Sequence, residues 1–119
     1  MNRKVMTLLM VAITLPAAAT QYVKPGAALT LNPGQGNTEF NINASRDDGS
    51  GVCNMEGTAQ QIAAGESQKR RWVWNDSSSQ CVAVFSELNN GKVSVMTRGC
   101  EGYCGVSAAG AMDGQFNKK

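Results

Sequence analysis

From Glu39 onward the chain alternates apolar and polar positions with a period of two. Phe40, Ile42 and Ala44 are interleaved with Asn41, Asn43 and Ser45, the pattern of a strand with one buried face. Asp47-Asp48-Gly49-Ser50-Gly51 is a turn cluster, because Asp supports Asx turns and Gly takes positive φ. A second strand is predicted near Gly51–Thr58, with Cys53 and Met55 on one face, so the two strands form a hairpin. Ala59–Ser67 has helical composition but is short and broken by Gly65, so a short helix and an irregular loop both stay open. In Lys69–Asn75, Trp72 and Trp74 share a face and Val73 opposes them. Gln80–Leu88 is apolar on both sides, which predicts a central strand. Asn89-Asn90-Gly91-Lys92 predicts a hairpin into Val93–Met96, since Asn-Gly favours a type I′ turn. A last strand is expected near Ala108–Phe116, with the turn-prone Asp113-Gly114 inside it. The expected fold is all-β. Five to six short antiparallel strands would build a small β-sandwich or partly open barrel, because small sheets need closure or a cover over their edges.

Residues 20–38 hold two of the three prolines and no sustained apolar period. They are expected to form a flexible N-terminal arm, with one short strand at Ala28–Leu31, ahead of a single β domain over 39–119. The first residues read as an address. Arg3 and Lys4 precede an apolar run from Val5 to Leu15, Pro16 breaks it, and Ala17-Ala18-Ala19 supplies an A-x-A site. This is the layout of a secretory signal peptide over 1–19, cleaved after Ala19. The run is shorter than the ~20 residues needed to span a bilayer. The mature chain is therefore expected to lack a transmembrane segment and to reside in the periplasm or outside the cell.

Cleavage changes the charge. The formal +2 of the 119-residue chain includes Arg3 and Lys4, and nine basic residues then face nine acidic ones. A neutral exported chain is a poor partner for nucleic acid. The absence of His excludes His-based triads and metal sites.

Four cysteines, Cys53, Cys81, Cys100 and Cys104, lie in the mature part. An even count in a short exported chain reads as two disulfides. Of three connectivities, Cys53–Cys81 and Cys100–Cys104 are favoured, because a Cys-x-x-x-Cys spacing closes across a turn and neighbouring strands bring Cys53 and Cys81 within reach. The same four thiolates lack the repeated Cys-x-x-Cys spacing of a zinc site. Cys100-Glu-Gly-Tyr-Cys104 is one residue longer than the Cys-x-x-Cys of thiol oxidoreductases. No metal, cofactor or redox role is expected.

Two segments are candidate partner-binding sites. Glu101, Gly102 and Tyr103 would be held in a fixed pose between bridged cysteines, and such preorganisation lowers the ordering cost of binding. The bland alternative is a locked corner with Tyr103 packed inward. Lys69, Arg70 and Arg71 beside Trp72 and Trp74 would suit an anionic partner through cation–π support. There the bland alternative is a charged strand start whose tryptophans fill the core. Glu56, Glu101 and Asp113 are carboxylates near structured segments, but no acid–base motif accompanies them, and no Gly-x-Ser-x-Gly or phosphate loop is present. The expectation is a non-enzymatic chain.

The elements Cys53-x-x-Glu-Gly-x-Ala59, Cys81 in an apolar strand, the Asn-Gly hairpin, Cys100-x-x-x-Cys104-Gly105 and Asp113-Gly114-x-Phe116 together resemble small exported proteins of Gram-negative bacteria. Most of those are of unknown function, and some similar segments occur in lysozyme-inhibitor-like chains. The resemblance spans about residues 40–117. It rests on Cys, Gly and apolar positions, and the Ser-Gly-x-x-Tyr signature of one periplasmic lysozyme-inhibitor family is absent. It implies a protein-binding module, such as an inhibitor of a cell-wall hydrolase. The other expectation is a structural or surface-exposed envelope protein or antigen that contacts envelope components.

Overall fold

Strand alternation closes on itself. The computed structural model describes residues 19–46, 51–105, 108 and 110–119. It contains β1 (Thr20–Lys24), β2 (Ala27–Pro33), β3 (Asn37–Ser45), β4 (Val52–Ile62), β5 (Gln68–Asn75), β6 (Val82–Leu88), β7 (Val93–Arg98) and β8 (Gly114–Lys118). Each pairs antiparallel with the next, and β8 pairs back on β1 through Tyr22↔Lys118 and Val23↔Asn117, so the sheet is a closed barrel. A closed barrel has no free outer strand to shield. No α-helix occurs among the described residues, and no helix there is long and apolar enough to cross a membrane.

The all-β expectation and the two disulfides therefore stand, but the strand count does not. Thr20–Thr38 is no arm: it supplies β1, β2 and the start of β3. Its prolines and glycines punctuate turns. Pro25-Gly26 joins β1 to β2 directly, with Lys24 opposite Ala27 and Gly26 at φ 80°, the geometry a Pro-Gly turn favours. Gly34–Gly36 joins β2 to β3 through a longer loop, with Pro33 opposite Thr38 and Gly36 at φ 75°. Tyr22, Leu29 and Leu31 point inward from this stretch and are buried. Ala59–Ile62, open between helix and loop, continues β4. The last strand starts later than expected, at Gly114. The Asp47–Ser50 part of the turn cluster and residues 1–18 of the expected leader lie outside the described residues.

The barrel is filled by its own side chains, as an eight-stranded ring of this size permits. Phe40, Ile42, Met55, Trp72, Phe85, Val93, Val95 and Phe116 form its core. Parity explains β5: Trp72 and Trp74 face inward with Arg70 on the same side of the strand, while Lys69, Arg71 and Val73 face out. The β6–β7 turn sits where Asn-Gly places it, but it is longer than a two-residue type I′ turn. Gly91 N–H donates to Leu88 C=O (3.0 Å) and Leu88 N–H to Lys92 C=O (2.8 Å), with Gly91 at φ 90°. This is the three-residue hairpin with a left-handed residue at its exit.

One seam is splayed. β4 pairs with β3 along nine positions but with β5 only at Gln60↔Val73, Gln61↔Trp72 and Ile62↔Arg71. Where the strands part, the Trp74 indole lies over Gly57. A Cβ at Gly57 would sit 2.7 Å from Trp74 Nε1 and 3.3 Å from Phe40 Cε1, so only glycine admits the ring there. Phe85, Phe40, Trp74 and Tyr103 then form an aromatic file from the core to the surface, with successive ring centroids 4.7, 5.4 and 5.9 Å apart.

Candidate functional site

The splayed seam lies at the end of the barrel that carries all four cysteines. After β7 the chain turns at Gly99, where φ is 71° and a Cβ would come within 2.6 Å of Gln80 C=O. It then makes a single 3₁₀ turn over Glu101–Tyr103 and returns to β8. The disulfides are Cys53–Cys104 and Cys81–Cys100, which corrects the expected pairing. Within the turn Tyr103 N–H bonds to Cys100 C=O (2.9 Å) and Cys104 N–H to Glu101 C=O (3.1 Å). The 3₁₀ turn thus closes by backbone hydrogen bonds, and each flanking sulfur is directed to a different strand: Cys104 to β4, Cys100 to the start of β6. The crosslinks do not staple a loop to itself; they tie the loop across the barrel mouth. Ala108 and Met112 are buried beneath it, and Asp113 Oδ1 accepts from Thr97 N–H (2.9 Å) and Thr97 Oγ1 (2.6 Å).

Glu101 and Gly102 are exposed, while Tyr103 is half-buried against Trp74. Tyr103 donates its hydroxyl to Asp76 Oδ2 at 2.5 Å. Asp76 also accepts from Ser78 N–H (3.0 Å), Ser78 Oγ (2.8 Å) and Ser79 Oγ (2.9 Å). These donors, the Tyr103 hydroxyl first, hold the Asp76 carboxyl well below the usual carboxylate range. The same bond, with some burial and the nearby carboxylate charge, pushes the Tyr103 phenol up. The β5–β6 loop and the 3₁₀ turn are thereby joined 27 residues apart in sequence.

The turn forms a crest between two depressions. On one side Glu101 and Cys104 line a groove of about 260 Å³ with Arg98 and Asp113. On the other, Tyr103 walls a cleft of about 340 Å³ whose floor is Asn41, Asn43, Asn54, Met55 and Glu56. Glu101 and Tyr103 are candidates from the sequence, and Glu56 appears there only as a carboxylate. Asp76 and the asparagines are not marked by any motif, although the outward positions of β3 that follow from Phe40, Ile42 and Ala44 are those that carry Asn41 and Asn43.

The structure does not bring the basic candidates together. Strand alternation puts Arg70 on the Trp72 side of β5, where its side chain stays 41% exposed, its Nε meets Glu87 Oε1 at 2.7 Å and its guanidinium lies 5.0 Å from the centre of the Trp72 ring. Lys69 and Arg71 face the other way, and Trp72 is core. Burial and the Glu87 charge, opposed by Arg70, raise the nearby Tyr22 phenol. Among the described residues no three His, Cys, Asp or Glu side chains are grouped to hold a metal. No family model, curated protein or solved structure matches the chain.

Proposed function

We propose that the protein is a non-enzymatic, exported protein-binding module, and that its partner is a cell-wall hydrolase that it inhibits. The crest at Glu101–Tyr103 is the docking element. The observation that carries this reading is the triple anchoring of a three-residue turn: Cys100 to Cys81, Cys104 to Cys53, and Tyr103 to Asp76. A turn so held presents Glu101 and Gly102 to a partner with little ordering left to do on binding. The groove beside it places Arg98 and Glu101 at the crest's flank, opposite charges that would set orientation on a partner surface. Two disulfides suit an oxidising compartment. The resemblance to lysozyme-inhibitor-like chains points the same way.

The test is a panel of purified lysozymes, amidases and lytic enzymes with micromolar oxidised protein, read as hydrolysis of cell-wall substrate and as binding by calorimetry. One enzyme inhibited stoichiometrically, with the effect lost in Glu101→Arg, is the expected result. Absence of binding across the panel, with envelope lattice components recovered instead on the immobilised protein, would replace this reading with a structural envelope role.

A further inference from the structure

We propose that the cleft beside Tyr103, on the outer face of β3 and β4, binds a neutral, N-acetylated sugar. This goes beyond the protein partner proposed above and does not depend on it, although both use Tyr103.

The cleft is built from outward positions of one antiparallel pair. Asn41 lies opposite Glu56 and Asn43 opposite Asn54. Such cross-strand neighbours stand about 5 Å apart, and i, i+2 neighbours along a strand about 7 Å apart. The result is a small grid of three amides and one carboxylate. Its members are already oriented. Asn43 Nδ2 donates to Asn41 Oδ1 (2.9 Å), and Asn41 Nδ2 donates to Glu56 Oε1 (3.1 Å). These two bonds do not use the Asn54 amide, the Asn43 carbonyl oxygen or Glu56 Oε2, which belong to exposed side chains of the lining. Tyr103 supplies an aromatic wall that cannot swing away, because Asp76 holds its hydroxyl and Trp74 meets it edge to face.

The chemistry of this lining selects its ligand. Small-molecule sites are mostly apolar with a few polar groups, and here three of the polar groups are amides. An amide presents a donor and an acceptor side by side. That matches an acetamido group, which carries one of each, and a hydroxyl, which is both. A carboxylate accepts from a pair of hydroxyls, and a fixed aromatic face packs against the C–H side of a pyranose. Among the described residues Glu56 is the one charged side chain on the lining, so an anionic ligand is disfavoured and a cation would find one carboxylate. The volume of about 340 Å³ lies at the small end of ligand sites.

The experiment is a titration of the full, oxidised, ¹⁵N-labelled chain with chitotetraose, followed by NMR through the asparagine side-chain amide signals. Saturable shifts of the Asn41, Asn43 and Asn54 side-chain amides and of the Tyr103 backbone amide are expected at sugar concentrations up to about 10 mM. Asn54→Ala and Glu56→Gln, both on exposed outward positions of β4, are expected to weaken binding at least about tenfold with the fold retained. Cellotetraose, which lacks acetamido groups, is expected to bind more weakly. Equal response to cellotetraose would overturn the N-acetyl assignment, and stronger response to oligogalacturonate would overturn the neutral one. No shift with any of the three would overturn the site. The titration contains no hydrolase, so its failure and that of the inhibitor reading are separately visible.

Discussion

Replacing Gly57 with Ala tests whether the splayed β4–β5 seam is held by Trp74. Nothing in the Gly57 backbone demands glycine through positive φ, so the substitution acts through space alone. The new methyl would stand 2.7 Å from Trp74 Nε1, 3.1 Å from Trp74 Cε2 and 3.3 Å from Phe40 Cε1. These are ring atoms in a packed file, and neither ring can yield at its flexible end. Overpacking of this kind costs about 1–3 kcal/mol, and three tight contacts put Gly57→Ala in the upper half. Loss of glycine's freedom in the unfolded chain returns about 0.5–1 kcal/mol. The net expectation is a destabilisation of about 1.5–2 kcal/mol, or roughly 10 °C in Tm. Urea denaturation followed by tryptophan fluorescence measures it, since Trp72 remains as a probe. Trp74→Leu should make the methyl tolerable, so a double-mutant cycle should recover about 1.5 kcal/mol of coupling. A Gly57→Ala protein within about 0.5 kcal/mol of the parent, or the same penalty in both Trp74 backgrounds, would refute the packing argument.

The two crosslinks should rank by loop length: removing Cys53–Cys104, which spans 51 residues, should cost about 4 kcal/mol, and removing Cys81–Cys100, which spans 19, about 3 kcal/mol. Paired Cys→Ala variants in urea check this, and a reversed order would show that packing beneath the crest outweighs chain entropy. The Asp76 carboxyl is lowered by folding, so its contribution is complete above its ordinary value of 3.8 and fades as pH falls below it. Asp76→Asn should therefore flatten the acid limb of a pH–stability curve. Tyr103 is raised, so its contribution is complete below its ordinary value of 10.0 and is lost as pH climbs past it. Tyr103→Phe should flatten the alkaline limb, and curves unchanged in both variants would contradict the Tyr103–Asp76 bond.

The strands readable in the sequence are those whose alternation survives in isolation. Phe40, Ile42 and Ala44 mark β3, and Cys81, Ala83 and Phe85 mark the inner side of the β6 region; both lie where the period put them. β1 escaped, and β2 showed only as the short strand at Ala28–Leu31, because Pro25-Gly26 and Pro33-Gly34 signal turns and loose arms alike. What decides between them is whether Tyr22, Leu29 and Leu31 find a core, and that core comes from strands far along the chain. The disulfide pairing escaped for a related reason. Spacing favours a bridge between Cys100 and Cys104, but the 3₁₀ turn between them is satisfied by its own backbone bonds, and β4 and β6 stand on either side to receive the sulfurs. Glu101 and Tyr103 were visible as a constrained segment. Asp76, to which Tyr103 is bound, was visible only as part of a serine-rich loop, since a contact across 27 residues leaves no local trace.

The way the sulfurs are paired also bears on how the chain matures. Cys100 and Cys104 are four positions apart, whereas native bonds join partners 19 and 51 apart. Encounter entropy favours the four-residue closure over the 51-residue one by about 2 kcal/mol before any strand has formed. An oxidant acting on the nascent polypeptide will therefore first create the wrong bond. Reaching the native pairing then takes a thiol–disulfide exchange step after oxidation, so an added thiol-shuffling catalyst is expected to raise the yield of native protein in oxidative refolding.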